Sequence, residues 1–237
     1  MEATSRRIDV GRVINESFSL YGANAAALMG SAFVVFFIVG IVQGLVNEAG
    51  GWLLNLIAYI VVLAGQALYT GFVVRLVADA RDGRRDLSVG ELFAVGGQSI
   101  WRLIVNGILK GIAVAIGFVL LIIPGLYLLT IWAVTSPSIV AERQGIIGAF
   151  GRSAELVRGN GWPVFGAILV AFLIAAVVSA VLVAIGAAIG VVGVIILAIL
   201  AGVITAPIPA LVASILFFDL GGESELTTAT PTPAPAV

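Results

Sequence analysis

Residues 159–218 contain no Asp, Glu, Lys or Arg. An α-helix rises 1.5 Å per residue, and a crossing of the roughly 30 Å hydrocarbon layer takes about 20 apolar residues. So long an uncharged run exceeds one crossing and accommodates two, with the turn expected among Gly186, Gly190 and Gly193. The rest of the chain has the same character. It is 61% hydrophobic and 11% charged, whereas about a quarter of residues are charged in soluble domains. The lipid bilayer is therefore the expected solvent and principal partner.

Four further spans are predicted, over 23–46, 52–77, 104–123 and 126–141. The segment 8–21 is too polar to cross. Val10, Val13, Ile14, Ser17, Phe18 and Tyr21 share one helical face, opposite Asp9, Arg12, Asn15, Glu16 and Ser19, the pattern of a helix lying in the membrane interface. Ser88 and Glu91 have capping-box spacing and open a second such helix through Val89, Leu92, Phe93, Ile100 and Leu103. Residues 145–158 give a third, with Ile146, Ile147, Phe150, Ala154 and Val157 on its apolar face. The fold class is thus all-α: a polytopic integral membrane protein of about six transmembrane helices with three amphipathic interfacial helices.

Pro124-Gly125 decides the count. One helix over 104–141 would be nearly 57 Å long, almost twice the hydrocarbon thickness, so a hairpin is predicted there. Proline disfavours helix at Ile123 and glycine admits a left-handed turn. With six spans and the N-terminus inside, all twelve basic residues fall on the cytoplasmic side, Arg75 and Lys110 at the inner ends of their spans. Both termini are then cytoplasmic in a multi-pass cell membrane protein. Ser5-Arg6-Arg7 reads as a basic flank and no cleavable signal is expected. Lys110 admits two readings: snorkelling to the inner headgroups, or a buried functional ammonium that must offset about 3 kcal/mol. With no acid in neighbouring spans, snorkelling is the expectation.

Little chemistry remains available. Cysteine and histidine are absent, which removes disulfides, thiolate nucleophiles, Cys/His zinc sites and imidazole bases. No Asp or Glu lies inside a predicted span, and no phosphate-binding or dinucleotide loop occurs. The expectations are no catalytic residue, no metal and no cofactor; a net charge of −1 gives no pull toward nucleic acid. Asn47, Asn55, Gln66, Asn106, Thr130 and Thr205 are expected to hydrogen-bond across helices. Pro207 and Pro209 should kink the last span or free carbonyls. Pro124, Gly125, Glu142, Arg152, Ser153, Arg158, Pro207 and Pro209 are the structural or docking candidates, with a Glu142–Arg152 pair locking the third interfacial helix under the bundle.

The chain reads as one membrane domain over 1–225, built from three units of interfacial helix plus two spans (8–78, 88–141, 145–219), and a disordered tail over 226–237. Residues 16–30 match 152–166 at Ser17/Ser153, Leu20/Leu156, Asn24/Asn160 and Gly30/Gly166, which suggests parallel duplication.

Several motifs carry a resemblance: Pro124-Gly125; Pro137, Val140 and Glu142; Ala149, Ser153, Leu156, Val157, Arg158 and Gly159; and Pro207 followed by Phe217-Phe218-Asp219-Leu220. This pattern resembles the membrane domain associated with glycerophosphoryl diester phosphodiesterases and its free-standing uncharacterised multi-pass relatives. It departs by having Gly221 where a basic residue is usual. The resemblance implies a membrane module without the phosphodiesterase, since the enzyme's soluble barrel and its histidines are missing. The functional expectation is a non-enzymatic scaffold or partner subunit with an unidentified membrane protein partner; the alternative is a small transporter or channel for a lipid-like or uncharged solute.

Overall fold

A computed structural model describes residues 8–81, 90–91 and 99–223. The basic flank at 5–7, most of the second interfacial helix with Ser88, and the tail at 226–237 lie outside the described residues. All regular structure among the described residues is helical: α1 (Val10–Ala23), α2 (Ala25–Ala49), α3 (Trp52–Arg81), α4 (Ile100–Leu120), α5 (Ile122–Ile131), α6 (Thr135–Ala141), α7 (Ile146–Val157), α8 (Gly161–Ile189), α9 (Val191–Thr205) and α10 (Pro207–Asp219).

Six stretches are long and apolar enough to cross a membrane. Four are the single helices α2, α3, α4 and α8. The fourth crossing is α5 with α6, over Ile122–Ala141, and the sixth is α9 with α10, over Val191–Asp219. Both are broken partway. Very little of α8 is buried, and Phe172, Leu173, Val177 and Val181 stand exposed along it. A helix that is apolar all round has lipid as its natural surroundings.

The hairpin between the third and fourth crossings is present, but its turn falls at Leu121 (φ −164°, ψ 151°) and not at Pro124-Gly125. Ile123 is helical, and Pro124 is the third residue of α5. The first N–H groups of a helix have no intrahelical acceptor, so a proline there removes nothing. Gly125 serves close approach instead of a left-handed turn: a Cβ on it would meet the Phe118 ring at 2.6 Å, and one on Gly117 would meet the Gly125 backbone at 3.0 Å. The last hairpin turns at Gly190 (φ 113°), while Gly186 and Gly193 let its arms touch. A Cβ on Gly186 would lie 2.7 Å from the Gly193 carbonyl oxygen.

The core sits where α3, α6 and α10 meet. Val73, Val74 and Val77 of α3, Ile139 and Val140 of α6, and Leu211, Ile215 and Phe217 of α10 are inaccessible there. The two described amphipathic helices are more than surface floats. Helix α1 packs on α10 and α8, and α7 packs on α6. The buried face of α7 is Ala149, Ser153, Leu156 and Val157, while Ile147 is 76% exposed. That face is rotated from the expected one because two small residues, Ala149 and Ser153, allow α7 to approach α6 closely.

The matched Asn24 and Asn160 share a backbone conformation, φ −125°, ψ 21° and φ −119°, ψ 20°, each immediately before a crossing helix. Their neighbours Ser17 and Ser153 are both buried.

Candidate functional site

Helix α4 and the fourth crossing pair antiparallel along their length. Gly117 lies against Gly125, Lys110 bonds Trp132, and Arg102 bonds Arg143. Between Trp132 and Val134 the fourth crossing loses its helix. Pro137, third residue of α6, has no N–H for the Ala133 carbonyl, so the ladder cannot run through unbroken. Polar groups of a break inside a membrane protein need partners, since unpaired ones there cost several kcal/mol each.

Three side chains supply them. Ser153 Oγ donates to the Ile131 carbonyl at 2.8 Å and accepts from the Val134 N–H at 3.2 Å. Lys110 Nζ donates to the Trp132 carbonyl at 2.6 Å, and the Thr135 hydroxyl donates to the same oxygen at 3.2 Å. Lys110 is the midpoint of α4, about 15 Å from either helix end. Its ammonium is directed across to the break instead of snorkelling back toward the Arg-rich end.

Beside the break lies a cavity of about 450 Å³, within the size range of small-molecule sites. Lys110, Ser136 and Thr70 give it polar points; Phe36, Ile168 and Phe172 are among its apolar walls. Pro209, at the start of α10, lines it too, so both broken crossings border the space. No Asp or Glu is among its lining residues.

At the Arg-rich end, ion pairs clamp both of the described amphipathic helices. Arg152 meets Glu142 with Nε and a terminal nitrogen, both at 2.9 Å, a bidentate arrangement. Glu142 also accepts from the Glu223 N–H at 3.3 Å. Helix α1 is held likewise: Arg12 reaches Asp219 at 2.6 Å, and Arg81 bridges Glu16 at 2.6 Å and Asp219 at 3.0 Å. The hydrogen bond to Asp219 pushes the Arg12 guanidinium further up from its ordinary range, and Glu142 does the same to Arg152. Arg81 also stacks 5.6 Å over the Phe218 ring.

Of the residues singled out in the sequence, Glu142, Arg152 and Ser153 meet around α6, and Pro209 faces the cavity. Pro207 is buried at the start of α10. Pro124 and Gly125 sit at the far hairpin, and Arg158 is exposed at the end of α7. Thr130, Thr205 and Asn55 do not bond across helices; the first two bond back to Leu126 and Ala201 on their own helices, and Asn55 bonds Gly51 just before its helix. Besides the bonds of Ser153, Lys110 and the arginines at the Arg-rich end, cross-helix hydrogen bonds run from Tyr21 to Ile204, Tyr69 to Leu28 and Arg75 to Val140. Asn106 is 1% exposed and its side-chain nitrogen has no partner among the described residues.

The break at Trp132 and the clamp at Asp219 are absent from the sequence reading. Pro137 carries a signal for the first, by the logic applied to Pro207. Nothing local marks the second, because Arg12, Arg81 and Asp219 are brought together only by the fold. Comparison of the chain with protein-family models, with curated proteins and with solved structures finds no match.

Proposed function

We propose that this is a non-enzymatic, multi-pass membrane protein that takes a lipid-like solute into its bundle. The observation that carries this reading is the cavity between the two broken crossings, which has one cation and no carboxylate on its walls. Crossings broken beside a cavity are a recurring way to expose backbone dipoles to a solute. Gln66, Phe172 and Pro209 line the cavity and are exposed, so a path to it runs through the lipid-facing flank. Purified protein in proteoliposomes should bind or move a fluorescent lipid-like solute. Absence of both binding and flux, with a stable protein partner co-purifying, would select the scaffold reading instead.

The scaffold reading has its own support in the clamps at the Arg-rich end, which hold α1 and α7 rigidly against the core. For orientation, the proposal is a cytoplasmic membrane with both termini inside. Arg12, Arg81, Arg102, Arg143 and Arg152 gather at one end of the bundle, as the positive-inside rule asks of the cytoplasmic face. A reporter fused at Val237 should be active only on that side. The proposed kinship remains the membrane module that resembles the one associated with glycerophosphoryl diester phosphodiesterases, acting without that enzyme.

A further inference from the structure

We propose that Lys110 seats the anionic head of a lipid-like amphiphile, with the chain leaving past Phe172 and Pro209. This rests on the reading above that the cavity takes a lipid-like solute, and adds the charge and place of the head. An ammonium has three donors, and Lys110 gives one to the Trp132 carbonyl. That oxygen is a dipole, not a counter-charge, and no acid lines the cavity. An ammonium at mid-span without a counter-ion is unfavourable in so apolar a setting. A bound carboxylate or phosphate would provide the missing charge, while Thr70 and Ser136 offer hydroxyls from the same walls.

The rest of α4 points the same way. Arg102, Asn106 and Lys110 are spaced four apart and share one face of the helix. Arg102 donates to the Arg143 carbonyl at the Arg-rich end. Asn106, between them, keeps its buried side-chain nitrogen unpartnered among the described residues. This polar file leads from the Arg-rich end of the bundle to the ammonium. A cationic amphiphile would be repelled along it, and a neutral one would leave Lys110 uncompensated.

The ligand class is therefore an apolar chain with one anionic head, either a fatty carboxylate or a phosphodiester lipid. The full chain in phosphatidylcholine nanodiscs would be titrated with spin-labelled stearate, its methyl ester and spin-labelled phosphatidylglycerol, reading the immobilised fraction. At least one acid should bind about tenfold tighter than the ester. Preference for stearate alone identifies a fatty carboxylate, and preference for phosphatidylglycerol alone a phosphodiester. Lys110→Gln should abolish the preference while ester binding persists, and Lys110→Arg should keep it. Ala175→Phe, which fills the cavity from α8 and leaves Lys110 in place, should exclude all three probes; acid binding that survives it belongs to the Arg-rich surface and overturns the proposal. Equal binding of ester and acids, or an unchanged preference in folded Lys110→Gln, also overturns it and leaves the cavity reading standing. If no probe binds, both readings fall.

Discussion

The fourth and sixth crossings are both broken, and the same device holds each. An amphipathic helix lies beside the segment after the break, caps the break with a hydroxyl and clamps the far end with an arginine. For the fourth crossing the helix is α7, the hydroxyl is Ser153 and the pair is Arg152–Glu142. For the sixth it is α1, with Tyr21 bonded to the Ile204 carbonyl and Arg12 paired with Asp219. The first amphipathic helix of the chain thus serves the last crossing, and the bundle closes on itself. The difference lies at the breaks: one receives an ammonium in addition, and the other, among the described residues, receives a neutral hydroxyl. The sixth-crossing break is capped without a cation, by the Tyr21 hydroxyl on the Ile204 carbonyl. Lys110 therefore calls for a role beyond capping.

The clamps should show the largest effects on stability. Asp219 serves two arginines and its side chain is 6% exposed; Glu142 serves Arg152 and is 10% exposed. Removing one partner of a buried pair costs about 3–5 kcal/mol, and less where the partner is partly solvated. Asp219→Lys should lose about 3 kcal/mol or more in chemical unfolding from detergent, and Glu142→Lys about 2 kcal/mol. The double reversal Glu142→Lys with Arg152→Glu should recover at least about half of the single loss. If it recovers none, the pairing contributes nothing and the likeness between the two clamps is only geometric.

Next come the caps. Ser153→Ala strands two buried backbone groups, the Ile131 carbonyl and the Val134 N–H, and should cost about 2–3 kcal/mol. Lys110 and Thr135 still serve Trp132 in that variant, so loss of the whole fold is not expected. A thermal midpoint unchanged by Ser153→Ala would mean that water enters the break and takes over the two bonds that Ser153 makes.

The crossings were legible in the sequence because length and charge leave few alternatives: residues 159–218 admit only two spans, and the turn fell on the one glycine, Gly190, whose conformation requires it. The hairpin before the fourth crossing was legible in kind but displaced, since a proline tolerated at a helix start marks the turn a few residues late. Pro124 shows that offset, and Pro137 and Pro209 repeat it as third residues of α6 and α10. The cavity was illegible for a different reason. Lys110 stands out in the sequence as a charge within a span but Trp132 does not, and what joins them is the antiparallel register of α4 with the fourth crossing. Ser153 stood out in the sequence through its match to Ser17, yet periodicity gave α7 the wrong face. A hydrophobicity pattern reads Ala149 and Ser153 as weak positions, whereas close helix packing uses them first.

The smallest expected effect concerns the neutral cap. Tyr21→Phe removes one donor from the Ile204 carbonyl and should cost about 1 kcal/mol, less than Ser153→Ala. Its pH dependence gives a further check. Burial raises the Tyr21 phenol above its usual value of 10.0, so the folded state favours the protonated form that donates. A group raised in this way contributes in full below the unfolded value and loses that contribution as pH climbs through the folded one. The stability difference between the wild type and Tyr21→Phe should therefore stay flat from neutral pH to about pH 9 and shrink only in stronger alkali. A difference that changes across neutrality would place a titrating group other than Tyr21 at the sixth-crossing break. That break would then resemble the one at Lys110, and the contrast between a neutral cap and a charged one would no longer single out the cavity.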